Sequence, residues 1–189
     1  MPRRRYYAGM PRALIPHPVS TVFPALQIEV EVSPSGGGLV LFSYVAAGEV
    51  GAVVLPPPQP GGRSDGLWQH TCFEAFVRPS EGTAYYEFNF SPSTRWAAYR
   101  FGSYRADQQF ANEVGQPRVE VEMGPDRYEL RTSLDLGRLQ DFDAASCRLG
   151  LSAVIEDIGG RLTCWALAHP GEKPDFHDPG GFIHSLVWR

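Results

Sequence analysis

"PRVEVEMGPDRYELRTSL", Pro117 to Leu134, decides how this chain folds. Val119, Val121 and Met123 alternate with Glu120 and Glu122; Gly124, Pro125 and Asp126 make a turn; then Tyr128, Leu130 and Thr132 alternate with Arg127, Glu129 and Arg131. A period of two sends successive side chains to opposite faces of an extended chain. The segment therefore reads as a β-hairpin with Val119, Val121 and Met123 turned toward a core. The acidic face of its first strand lies opposite the basic face of its second, a favourable cross-strand arrangement.

The same period extends outward. In "LQIEVEV" Leu26, Ile28, Val30 and Val32 face inward and Glu29 and Glu31 face water, and "SPSGGG" turns the chain into "LVLFSYVA". Further strands are expected around Val50 to Leu55, Thr71 to Arg78, Tyr85 to Ser91, Arg95 to Phe101, Arg148 to Glu156, Leu162 to Ala168 and Phe182 to Trp188. The helical period is almost absent, with one helical turn expected near Leu134 to Leu139. About ten short strands without alternating helices indicate an all-β fold, an antiparallel two-sheet β-sandwich of the jelly-roll or immunoglobulin-like kind. "LPPPQPGGRSDG", Leu55 to Gly66, has strand patterns on both sides and reads as a long surface loop stiffened by polyproline conformation. A chain of 189 residues suits one such domain. We expect it to span residues 26–189, with residues 1–25 as an N-terminal extension.

Composition excludes several classes of function. A formal net charge of -4, with only 17 Lys plus Arg, leaves no basic footprint for nucleic acid. The one basic cluster, Arg3 to Arg5, is followed by "YYAGMPRALIPHP", where prolines and Arg12 interrupt the apolar core that export requires. No run is long and apolar enough to span a bilayer. Cys72, Cys147 and Cys164 are an odd set without a CxxC spacing, so buried free thiols and a cytoplasmic location are expected.

One residue resists this patterning. In "LWQHTCFEAFVRP", Leu67 to Pro79, Phe73, Ala75 and Val77 share one face and Cys72, Glu74 and Phe76 the other. Neither face is polar. A carboxylate there needs an ion pair, for which Arg95, Arg100 and Arg105 are candidates, or an opening through which a ligand enters. Trp68 reads either as a core tryptophan or as a platform on which the C–H face of a sugar could pack. As one straight strand, Trp68 and Glu74 would be roughly 20 Å apart. To serve one site, the chain must bend near Gln69 and His70.

In "YYEFNF" Glu87 and Asn89 point together, either into a polar cup or, more commonly for such a pattern, outward to solvent. His169, Asp175, His177 and Asp178 form the densest polar cluster, in a loop punctuated by prolines and glycines. His169, Asp175 and His177 could face one zinc or iron ion, although hydrogen bonds that staple the loop are the commoner use of such residues and we expect no metal. There is no G-x-S-x-G elbow, phosphate-binding glycine loop or HExxH, so catalysis rests only on Glu74 and Glu87 as a glycosidase-type carboxylate pair.

Trp68 and Glu74 at W-x5-E spacing, "YYEFNFSP", and "CWALAHPGEKPDFHDPGGFIHSLVW" together resemble the DOMON-like group of sandwich domains, which is similar in turn to the family 9 carbohydrate-binding modules. The resemblance covers most of the chain from about Leu26. It implies a binding module in which Trp68, Glu74 and Phe176 grip a sugar, Phe176 standing where relatives place a tryptophan. With the polar groups read above, the expected ligand-binding set is Trp68, Glu74, Glu87, Asn89, Asp175, Phe176 and His177. The expected partner is a carbohydrate or sugar-containing small molecule, with no cofactor. Other DOMON domains bind b-type haem through Met and His, which makes a haem b or metal-binding redox domain the alternative, with Met123, His169 and His177 as the available ligand types. A glycoside hydrolase is a third reading.

Overall fold

The structure, a computed structural model, describes residues 10–20, 24–139 and 146–187. Arg3 to Arg5 and the end of the last expected strand at Trp188 lie outside the described residues. The strands in chain order are β1 (Arg12–Pro16), β2 (Leu26–Pro34), β3 (Leu39–Gly48), β4 (Gly62–Arg63), β5 (Cys72–Pro79), β6 (Tyr85–Phe90), β7 (Arg95–Phe101), β8 (Gln109–Phe110), β9 (Val119–Met123), β10 (Arg127–Asp135), β11 (Ser146–Glu156), β12 (Leu162–Ala166) and β13 (His184–Val187). Short 3-10 turns are the only helical elements among the described residues, and the expected one near Leu134 to Leu139 is the turn Leu136–Arg138.

Hydrogen bonding runs continuously in the order β4-β7-β6-β5-β11-β12-β1-β2-β3-β10-β9, with β13 added on β11 and β8 on β7. The fold is thus nearly all-β, in one curled mixed sheet. Two details depart from separate, purely antiparallel sheets. First, β1 pairs with β2 through Arg12 to Leu14 and with β12 through Ile15 and Pro16, so it joins the two halves. Second, β4 runs parallel to β7.

Curling brings β3 and β10 over β5. The Tyr44 hydroxyl donates to the Glu74 carbonyl at 2.7 Å, and Phe73 lies between the rings of Tyr44 and Tyr128 at centroid distances of 5.2 and 6.0 Å. Around these rings pack Val30, Phe42, Leu130, Val77, Phe88 and Leu151, all essentially inaccessible. Burying such side chains contributes about 1.5 to 3 kcal/mol each before chain entropy is counted.

The hairpin of β9 and β10 forms as its alternation predicts, with Arg131 reaching Glu122 at 3.1 Å. Met123 corrects the reading: it is 63% exposed. Its strand, β9, ends the strand order, so Met123 stands at an edge of the sheet rather than inside it. The strand expected over Val50 to Leu55 is instead a 3-10 turn, Val50–Ala52, followed by a single bridge from Val53 to Asp157. Gly48 turns the chain there at φ 120°, where a Cβ would collide with the Ala25 carbonyl, and Pro56 to Pro58 supply no N–H to continue a ladder.

A second cluster explains why "FEAF" has no polar face. On the side of β5, β6 and β7 away from the main core, Phe76, Tyr85, Ala97, Tyr99, Phe101 and Phe182 pack together, with Leu67 and Phe176 against them. Gly150 of β11 sits opposite Phe76, and Phe182 lies over it: a Cβ at Gly150 would be 2.5 Å from Phe182 Cδ1 and 2.9 Å from Cε1. Gly150→Ala is expected to displace Phe182 and lower stability by about 1 to 2 kcal/mol, measured by urea unfolding. An unchanged midpoint would mean that the ring moves without cost.

Candidate functional site

The polypeptide bends where a shared site requires it. Gly66, at φ 73°, leads into the 3-10 turn Leu67–Gln69, and β5 starts only at Cys72. Beside the turn, His70 Nδ1 meets Glu156 Oε2 at 2.7 Å, while buried Thr71 accepts from the Glu156 N–H at 3.1 Å. Trp68, 52% exposed, is therefore folded back over the sheet rather than carried along it.

Strand register supplies the floor. Glu74 lies opposite Asn89 of β6 and Ser152 of β11, and Glu87 lies between Phe76 and Tyr99. Residues directly opposite share a face, so Glu74, Glu87, Asn89, Tyr99 and Ser152 all project to the side of the second cluster. Over them opens a cleft of about 450 Å³ lined by Trp68, Glu74, Glu87, Phe176 and His177, with Phe76, Tyr99, Phe101 and Arg105. Five of the seven expected ligand-binding residues thus line one cavity. Asn89 lies at its base and holds Glu87, donating from Nδ2 to Oε1 at 2.7 Å. Asp175 sits behind the rim. Glu87 and Asn89, for which outward solvation was the commoner reading, are 6% and 0% exposed, because the 174–178 loop and Phe182 cover a face that an open sheet would leave wet.

No ion pair reaches Glu74 among the described residues. Arg105 donates to Asp175 at 2.8 Å, Arg95 donates to the Arg63 carbonyl at 2.9 Å, and Arg100 alternates to the face away from Tyr99. Among the described residues, the one hydrogen bond to the Glu74 carboxyl comes from Ser152 Oγ at 3.4 Å, at the long limit of useful geometry. Burial pushes the Glu74 carboxyl well above its ordinary range, and the neighbouring charge of Glu87 adds to this. Burial also raises Glu87, opposed by the Asn89 hydrogen bond and by Arg105. Two adjacent buried carboxyls resist carrying full charge together.

His177 is brought to about 4 by burial and by Arg105, against the pull of Asp175, so its imidazole is neutral at physiological pH. Its approach to Glu87, Nε2 to Oε2 at 3.6 Å, is consequently a contact between a neutral ring and a carboxyl rather than an ion pair. Tyr85 Oη accepts from the Arg105 N–H at 3.2 Å and meets His177 Nδ1 at 2.7 Å. A hydroxyl can donate one hydrogen bond and accept two, so this contact fits either tautomer of the neutral imidazole.

Asp175 clamps the rim. Against burial, which would raise it, hydrogen bonds from the Tyr104 hydroxyl, Arg105 and the His177 N–H hold its carboxyl below the usual range. Arg105 itself has a left-handed backbone, φ 51°. The metal trio considered from sequence is not assembled: His169 turns to the Ile15 carbonyl at 2.9 Å and the edge of His17, toward β1 and away from Asp175 and His177. No group of three or more His, Cys, Asp or Glu that could hold a metal occurs among the described residues. The cysteines are free; Cys72 and Cys147 are buried, but Cys164 is only partly so and lines the cleft.

Sequence reasoning missed Tyr99, Phe101 and the rim position of Arg105. The aromatic pair was reachable, since the short turn after Phe90 fixes the β6–β7 register and Tyr99 alternates onto the side of Glu87. From sequence Arg105 reads only as a partner for Glu74, and nothing local signals its left-handed turn conformation.

No protein-family model matches the chain, and no curated protein matches it either. Solved structures do. A candidate carbohydrate-binding protein from Bacteroides uniformis is similar over 96% of this chain and 85% of its own, with TM-score 0.70 and 16% identity. A family 9 carbohydrate-binding module from Caldicellulosiruptor kristjanssonii in complex with glucose aligns with 96% of this chain and 83% of its own, TM-score 0.55 and 10% identity. The same kind of module with cellotriose aligns with 93% and 82%, TM-score 0.54 and 9% identity. At these identities the likeness is one of fold.

Proposed function

We propose that the protein is a non-catalytic carbohydrate-binding module whose ligand occupies the cleft between the Trp68 turn and the Phe176 loop. The observation that carries the reading is a buried, incompletely satisfied carboxyl, Glu74, at the floor of a cavity walled by aromatic rings. Sugars present hydroxyl edges that carboxylates accept and C–H faces that aromatic rings cover. Fold-level likeness to proteins described as sugar-binding supports the same reading. So do the W-x5-E and "FHDPGGF" segments through which the chain resembles DOMON-like sandwiches. Within this reading, Trp68 and Phe176 stack on opposite faces of a sugar ring, and Glu74 and Glu87 accept its hydroxyls. Asn89, His177 and Asp175 hold the acceptors and the rim in place.

Binding fits the geometry better than hydrolysis. A glycosidase needs its two carboxyls on either side of the scissile bond. Glu74 and Glu87 instead rise from neighbouring strands of one sheet and would meet the same side of a ligand. The test is a glycan array followed by calorimetry on the best hit, with the visible spectrum recorded on the same preparation. Saturable binding without release of reducing ends, in a colourless protein, is the expected result. Absence of binding to every glycan defeats the reading, and a stoichiometric Soret band would establish the haem alternative.

A further inference from the structure

The charge distribution of the cleft narrows the ligand class, an inference that rests on the carbohydrate reading above. We propose that the ligand is a sugar carrying a protonated amine, an amino sugar, with its ammonium group seated between Glu74 and Glu87.

Three independent features favour a cation. First, Glu74 is 2% exposed and opens only into the cleft. A carboxylate can accept about four hydrogen bonds, yet among the described residues Glu74 receives one, at 3.4 Å. An ammonium brings three donors and a charge. Second, among the described residues the positive groups near the floor are already engaged. Arg105 is held by Asp175 at 2.8 Å. Arg63 donates to Asn112 and to the carbonyls of Ala98 and Ala111. His177 is neutral, its Nδ1 taken by Tyr85. The other titratable groups lining the cleft among the described residues are Tyr99 of β7 and Cys164 of β12, with Cys72 of β5 and Tyr85 of β6 on the same face of their strands; none brings a positive charge, and Tyr99 itself donates to Asp65 at 2.9 Å. The floor thus carries two carboxyls, and the cation that acts on Glu87 from the rim, Arg105, is itself paired with Asp175. Third, Trp68, Phe76, Tyr99 and Phe101 surround it, and ring faces attract cations and repel anions. A sugar acid would meet two carboxyls and aromatic faces together, and is disfavoured on both counts.

Calorimetry at neutral pH with three β-1,4-linked disaccharides separates the outcomes: that of glucosamine, that of N-acetylglucosamine, and that of glucose. Replacing a neutral hydrogen bond by a charge-assisted one predicts about tenfold tighter binding of the glucosamine disaccharide than of either neutral one. The preference should shrink in the Glu87→Gln variant, whose folding is checked by circular dichroism, and in high salt. If the glucose disaccharide binds as well as or better than the amine, the inference fails while the carbohydrate reading stands. If no disaccharide and no member of a broad glycan panel binds, the carbohydrate reading itself fails and takes the inference with it.

Discussion

Replacing Trp68 by alanine is expected to lower affinity for the best-binding glycan by about 2 kcal/mol or more, on the order of thirtyfold. The indole stands 52% exposed on a 3-10 turn at the cleft wall, an orientation that leaves a large ring face for a ligand and only part of its surface for the core. Because so much of the ring is already in water, thermal stability should change little, within the roughly 0.5 kcal/mol typical of surface substitutions. Trp68→Phe should recover part of the affinity, since the flat apolar face is retained at smaller area. Calorimetry and thermal unfolding on the same samples check both halves. Unchanged affinity in the alanine variant would remove Trp68 from the site, and a large fall in melting temperature would restore it to the core.

Glu74→Gln separates chemistry from structure. The variant keeps the shape and one acceptor oxygen but loses the charge, so affinity should fall by about 1.5 to 3 kcal/mol if a hydroxyl or ammonium donates to the carboxylate. Stability should move the other way. Burial and Glu87 raise the folded-state pKa of Glu74 above its ordinary 4.5, so whatever the protonated side chain contributes is fully present below that value. It is lost as pH rises through the folded-state pKa. Glutamine has no such loss. The variant should therefore gain stability relative to the parent as pH is raised from 4.5 upward, with little difference below it. Urea unfolding across that range reads the difference; a variant destabilised at neutral pH by the 3 to 5 kcal/mol typical of a broken buried pair would reveal a cationic partner for Glu74.

How far the sequence disclosed this arrangement depended on how local each signal was. Alternation is a local property, and it located β2, β3, the β9–β10 hairpin, β5, β6 and β7 within a residue or two. It also paired Phe73, Ala75 and Val77 against Cys72, Glu74 and Phe76, as found. What it could not show is which face meets a second layer. Met123 follows the pattern of a core residue, yet it lies at a free edge, while Glu87 and Asn89 follow the pattern of a wet face beneath a loop contributed from far along the chain. The cleft itself was half legible. Trp68, Glu74 and Phe176 came from a motif resemblance, and the bend at Gln69 and His70 from a distance that a straight strand could not close. Arg105, its left-handed backbone and its clamp on Asp175 depend on tertiary contacts across 70 residues, beyond any local reading.

A crystal structure of the protein with the glycan that binds it best shows directly where the ligand sits. A sugar ring is expected between Trp68 and Phe176, with a hydroxyl or ammonium within about 3 Å of the Glu74 carboxyl. Density elsewhere, for example in the concavity of about 490 Å³ over Glu31, Ser43, Glu129 and Arg131, would contradict it, as would an empty Trp68 cleft in crystals whose protein demonstrably binds the sugar.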